Sequence, residues 1–127
     1  MPKLVDQGET WVLQQSLGSN ALYIGLYKDT SEPAEDATLA TITECSGAGY
    51  SRLEIAAGDW TISGDTAEAS SKTWTAGEDW GDIYGYFICD VSSGTTGNLL
   101  FVEHFSDGPY TVKQNHKVTI TPRVTAS

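Results

Sequence analysis

Residues 82–105 read DIYGYFICDVSSGTTGNLLFVEHF: an aromatic and β-branched run, a cluster of Gly, Ser and Thr, and a second apolar run. Two runs rich in strand-forming residues, separated by turn-formers, are the pattern of paired antiparallel strands. Strands this apolar have to be covered, so the stretch demands a packed β core rather than a peptide lying on a surface. Side chains alternate along a strand, and the alternation sets Tyr84 and Tyr86 against Ile83, Gly85 and Phe87. One face is therefore expected to carry adjacent tyrosines.

The same period of two recurs outward from this hairpin. LYIGLY at 22–27 sets Leu22, Ile24 and Leu26 against Tyr23, Gly25 and Tyr27, and Gly25 between two tyrosines marks a close backbone approach or a bulge. Further strands are expected at 39–44, 51–55, 60–63, 67–69, 72–75, 83–90, 99–105 and 117–125. Gly47, Gly49, Gly58, Gly64 with Asp65, and Gly77 punctuate them near the ~8 to 12 residue spacing of a sandwich or barrel. Pro122 sets the last strand at an edge or near its own end. The fold class that follows is all-β, an antiparallel β-sandwich of jelly-roll or immunoglobulin-like type, with one short N-terminal helix.

That helix is expected over 7–17, capped by Asp6, striped by Val5, Trp11, Val12, Leu13 and Leu17, and stopped by Gly18. A helix so short is marginal alone, so Trp11 and Leu13 must pack on the β domain or on a neighbouring subunit. The chain thus divides into an arm and helix over 1–20 and a β-sandwich domain over 21–127. The acidic segment DTSEPAEDAT at 29–38, with Asp29, Glu32, Glu35 and Asp36, reads as an exposed, mobile loop.

A chain of 127 residues fits one domain that stands without staples. Seventeen acidic residues against seven basic ones give a net charge of -10, which opposes phosphate binding and so excludes a nucleic-acid partner. No apolar run approaches the roughly 20 residues of a membrane span, and the N-terminus lacks the pattern of a signal peptide. The expectation is a protein made in a cytoplasm, with no membrane partner. Cys45 and Cys89 are too few for a disulfide framework and lack metal-binding spacing, so both are expected as buried free thiols.

No catalytic residue, metal ligand or cofactor site is expected. Glu78, Asp79 and Asp82 surround Trp80, but nothing in their spacing sets two carboxyl groups across a substrate, and EDWGD lacks the register of a calcium loop. His104 and His116 are too distant in sequence for a local metal motif, and His104 is expected on the polar face of its strand or beside Glu103. The serines have no GxSxG elbow. Trp60, Trp74, Trp80, Tyr84, Tyr86, Phe101 and Tyr110 exceed what one face of a small core can hide. Either they form an exposed platform for a protein or a sugar, or both faces of a sheet are covered.

The blocks VDQGETWVLQQSL, YIGLYKDTSEPAEDATLATITECSGAGYSRLEI, DWTISGD, IYGYFICD, LLFVEHF and VTITPRVTAS, in this order, resemble small β-rich virion proteins of tailed bacteriophages. The resemblance covers nearly the whole chain, and none of its blocks is a catalytic signature. It implies a non-enzymatic capsid cement or decoration protein on the capsid surface, assembled in the host cytoplasm, that clamps subunits of the major capsid protein. It further implies a homo-oligomer, expected as a trimer. Candidate contact residues are Trp11 and Leu13 in the helix, Asp29, Glu32, Glu35 and Asp36 in the acidic loop, Trp80, and Arg123 in the closing strand. The alternative is a tail or surface adhesin that stacks a host receptor or glycan on Trp80 and the tyrosines.

Overall fold

The computed structural model describes residues 5–125. The arm before Val5, residues 126–127 and the side chain of Asp6, expected as the helix cap, lie outside the described residues. One helix, α1 (Asp6–Ser16), precedes eleven strands: β1 (Leu22–Tyr27), β2 (Leu53–Ile55), β3 (Trp60–Ser63), β4 (Thr66–Ala69), β5 (Lys72–Thr75), β6 (Gly81–Ile83), β7 (Gly85–Cys89), β8 (Leu99–His104), β9 (Tyr110–Val112), β10 (Lys117–Ile120) and β11 (Arg123–Thr125). The fold is all-β, antiparallel and sandwich-like. Its largest sheet has the order β2-β1-β7-β8, and three smaller sheets are β11-β4-β3, β10-β5 and β6-β9.

The hairpin read from 82–105 forms one half of the large sheet: β7 is buried at every residue and pairs with β1 on one side and β8, the outer strand, on the other. Burial on both faces follows from its even apolarity. Leu22, Ile24 and Leu26 of β1, with Tyr86 and Ile88 of β7, face the main core. There they meet Trp60, Ala67, Ala69 and Val124 of one small sheet, Trp74 of the second and Ile83 and Val112 of the third. The opposite face carries Tyr27, Phe87 and Cys89 and is covered by Leu39 and Ile42 from the long segment between β1 and β2.

Helix α1 closes the main core with Leu13 and Leu17, at 2% and 0% exposure. Val5 holds the N-cap position in extended conformation, one residue before the cap expected at Asp6. At the other end the Asn20 amide donates to Ser16 O at 2.9 Å, satisfying one of the carbonyls that a helix terminus leaves open.

Three sequence expectations are corrected. Residues 39–44 form turns rather than a strand, with a single bridge from Glu44 to Tyr27; Leu39 and Ile42 serve as a lid on the second core. The run 83–90 is broken at Tyr84, which puts Tyr84 in the second cluster and Tyr86 in the first, so the two tyrosines do not share a face. The run 117–125 is split by buried Pro122, whose carbonyl accepts from Ala69 N at 3.0 Å and carries the pairing from one strand to the next. Strand β9 had no expectation at all, because Tyr110 to Val112 is too short to show a period.

Both faces of the large sheet being covered resolves the excess of aromatics. Gly25 is where the backbone comes closest: a Cβ there would lie 2.4 Å from Phe87 Cζ and 2.6 Å from the Tyr50 hydroxyl. The close approach expected between the two tyrosines is thus with Phe87 and Tyr50.

Candidate interaction surface

The residues with chemistry are engaged in holding loops. Arg52, whose side chain is 4% exposed, forms a two-pronged pair with Glu44, Nη2 to Oε1 at 2.8 Å and Nε to Oε2 at 3.0 Å. It also donates to Val91 O and Gly94 O and lies 5.4 Å from the centre of the Phe87 ring. The Tyr50 hydroxyl donates to Glu44 Oε2 at 2.6 Å and accepts from Leu26 N at 3.0 Å. Burial, first, and the bond to Glu44 push the Tyr50 phenol far above its ordinary range. This network ties the segment before β2 to the β7–β8 turn.

Trp80 is buried at 2% exposure and offers no ring face to a partner, which corrects its expected role as a platform. Its indole N–H donates to Ala48 O at 2.9 Å and its ring stands edge-on to Tyr50. Lys28 Nζ donates to Trp80 O at 2.6 Å. The neighbouring carboxylates are anchors: Glu78 accepts from Ala48 N, Asp79 from Gln114 N, and Asp82 from the Thr111 hydroxyl. Each of the three carboxylates thus fixes a different segment, Glu78 the turn at Ala48, Asp79 the turn at Gln114 and Asp82 the paired strand β9.

His104 neither faces solvent alone nor meets Glu103, since adjacent strand residues point to opposite faces. Its ring stacks with Tyr27 and Tyr84, centroids 5.9 and 6.1 Å away, and Nδ1 lies 2.9 Å from the Tyr27 hydroxyl. Burial pushes the Tyr27 phenol up, reinforced by Glu32, Asp29 and Glu103. Among the described residues no group of three His, Cys, Asp or Glu could hold a metal ion. Cys45 and Cys89 are free and buried, one in each core cluster, as the sequence suggested.

The contact candidates fall into three groups. On α1, Leu13 turns inward while Trp11, 61% exposed, stands on the surface beside Val12. In the acidic segment, Asp29 accepts from Thr43 N at 2.9 Å and is fixed, whereas Glu32, Glu35 and Asp36 are exposed. The exposed Arg123 side chain stands in β11 opposite Glu68 and lines a polar groove with Asp59, Thr61, Ser63 and Ser70. Its backbone is held from across the core: the Tyr86 hydroxyl donates to Arg123 O and accepts from Arg123 N, both at 3.3 Å. The structure thus brings none of the three groups together into one pocket. Sequence reasoning missed Arg52, Glu44 and Tyr50, whose order Glu-(5)-Tyr-x-Arg has no periodic signal.

A family model described as Podophage GP4 fiber I protein gp80 matches residues 13–124. The chain belongs to this gp80 fiber family. It is therefore a bacteriophage virion structural protein. The matched residues start at Leu13, the helical residue that enters the core, and run to Val124 of β11, so the gp80 match covers the packed β domain. No curated protein and no solved structure matches the chain. Among the described residues of this gp80-family chain, no helix is long and apolar enough to cross a membrane.

Proposed function

We propose that this chain is a non-enzymatic building domain of a phage fibre, joined to its neighbours by surface contacts alone. The observation that carries the reading is the family match over residues 13–124, which spans the strands that build both cores. The geometry supports it. Titratable groups around Trp80 and Arg52 are used up in tying loops together, and the grooves on the surface are open and shallow rather than enclosed around convergent polar groups.

A part of this kind works by mass action: each rigid domain contributes modest contacts, and repetition along an assembly raises their effective concentration. Trp11 and the exposed carboxylates Glu32, Glu35 and Asp36 are the groups we assign to those contacts. The capsid-cement role expected from the sequence is the second reading, and clamping the major capsid protein, like trimer formation, belongs to it. The fibre description of the family favours the fibre over the shell.

Copy number distinguishes the two. Quantitative gel densitometry of purified particles is expected to show this chain at the stoichiometry of the other fibre components. Stoichiometry matching the major capsid protein would overturn the fibre reading in favour of the shell.

A further inference from the structure

Strand β8 is the outer strand of the large sheet, and among the described residues no strand pairs with its free side. The other border offers less: β2 has only three residues, and beyond it the pairing on β1 is continued by the intervening segment, Cys45 N donating to Leu26 O and Lys28 N to Thr43 O. At six residues β8 is the longest strand with an open side among the described residues. Natural proteins blunt such edges with lysine, proline or brevity. Strand β8, LLFVEH, has none of these, and its only irregularity is the register shift at its start, which leaves Leu100 without a partner residue and 42% exposed.

The direction of its backbone follows from the register. Phe105 N donates to Tyr84 O at 2.9 Å, and along an antiparallel pair inward-bonded and outward-facing residues alternate. Phe101 and Glu103 therefore turn their N–H and C=O toward β7, while Val102 and His104 turn theirs to the open side. His104 is held in place by Tyr27 and Tyr84, so this edge is ordered before anything binds.

Grooves run along both faces of the edge. One, of about 630 Å³, lies between β8 and the acidic segment and includes Glu32, Pro33 and Glu35; the other, of about 360 Å³, lies between β8 and β11 and includes Glu103 and Arg123. The exposed carboxylates of Glu32 and Glu35 border the first groove, and among the described residues the second is bordered by Glu103 and the cation Arg123. A second copy pairing β8 to β8 would bring two such acidic sets together, which electrostatics disfavours.

We infer that β8 is a strand-addition site for an extended segment of a partner protein in which apolar residues alternate with Lys or Arg. The incoming backbone bonds to Val102 and His104, its apolar side chains enter the groove between β8 and β11, and its cations, on the other face, meet Glu32 and Glu35. This deepens the proposed structural role, but peptide binding does not depend on where in the particle the chain sits.

The test uses the full chain and a synthetic peptide of about eight residues alternating Val and Lys, the length that one edge strand can pair. Hydrogen exchange followed by NMR is expected to show protection of the Val102 and His104 amides when the peptide is added, with Phe101 and Glu103 little changed. The same peptide N-methylated at every second residue keeps the charge but loses the bonding edge, and is expected to bind at least about tenfold more weakly. Reversing Glu32 and Glu35 together to Lys, both exposed, is expected to give a comparable loss. Equal binding of the N-methylated peptide, unchanged exchange at Val102 and His104, or protection of those amides by self-association without peptide would each overturn the proposal.

Discussion

At the scale of single residues, the account rests on polar groups being consumed by structure. Arg52 is the clearest case: removing its side chain leaves Glu44 with only the Tyr50 hydroxyl as donor, and two carbonyls with none from it, at a site where the arginine is 4% exposed. Breaking a buried pair is costly, and discounting for the 28% exposure of Glu44, Arg52→Ala is expected to destabilise by about 2 to 3 kcal/mol. Urea unfolding checks this, and a loss under ~0.5 kcal/mol would contradict it. Trp60 behaves oppositely. Its buried indole N–H has no hydrogen-bond partner among the described residues, and on that basis Trp60→Phe is expected to cost less than about 1 kcal/mol, despite the loss of ring area. Burial also pushes the Cys45 thiol up to about 11 and raises that of Cys89. Neither is expected to react with a thiol reagent at pH 8 in the folded protein, and both are expected to react after unfolding.

At the scale of elements, helix α1 separates packing from surface. Leu13→Ala opens a hole in the main core and is expected to cost about 2 to 4 kcal/mol, whereas Trp11→Ala, on the exposed side, is expected to stay within about 0.5 kcal/mol in the isolated chain. Paired thermal melts of the two variants check the contrast. The elements also show where the sequence could be read. Strands β3 and β5 emerge with their expected bounds, because Trp60 and Trp74 sit on inward positions between clear turn residues. The alternation of β1 held for the same reason. The break at Tyr84 was invisible, since Tyr suits a strand and the kink is imposed by tertiary bonds, Tyr84 N to Tyr27 O and Phe105 N to Tyr84 O. Trp80 misled because an aromatic among carboxylates looks exposed; its burial depends on the Ala48 carbonyl, 32 residues away in sequence. The acidic segment was legible as polar but not as a lid, because only Leu39 and Ile42 at its far end carry the packing.

At the scale of the whole molecule, charge sets how stability varies with pH. Bonds from Lys72 and Ser70 hold the Asp59 carboxyl below its ordinary 3.8, and bonds from the Asn98 backbone and side chain do the same for Asp90. A lowered folded pKa contributes stability that is present above the unfolded value and lost as the pH falls through the folded one. Stability is therefore expected to decline below about pH 4, and Asp59→Asn to flatten that decline in melts between pH 2 and 6. At the alkaline end the sign reverses: the Cys45 thiol stays protonated to about 11 when folded but ionises near 9.0 when unfolded, so its contribution fades across that interval. The net charge of -10 opposes self-association through like-charge repulsion. Family membership and the absorption of its reactive groups into the fold lead to the same role, a part that holds other parts. Cryo-electron microscopy of the intact particle tests this most directly. The account expects density for the β domain, with the paired large and small sheets recognisable, in a fibre; density for it on the capsid shell, or none in the particle, would contradict it.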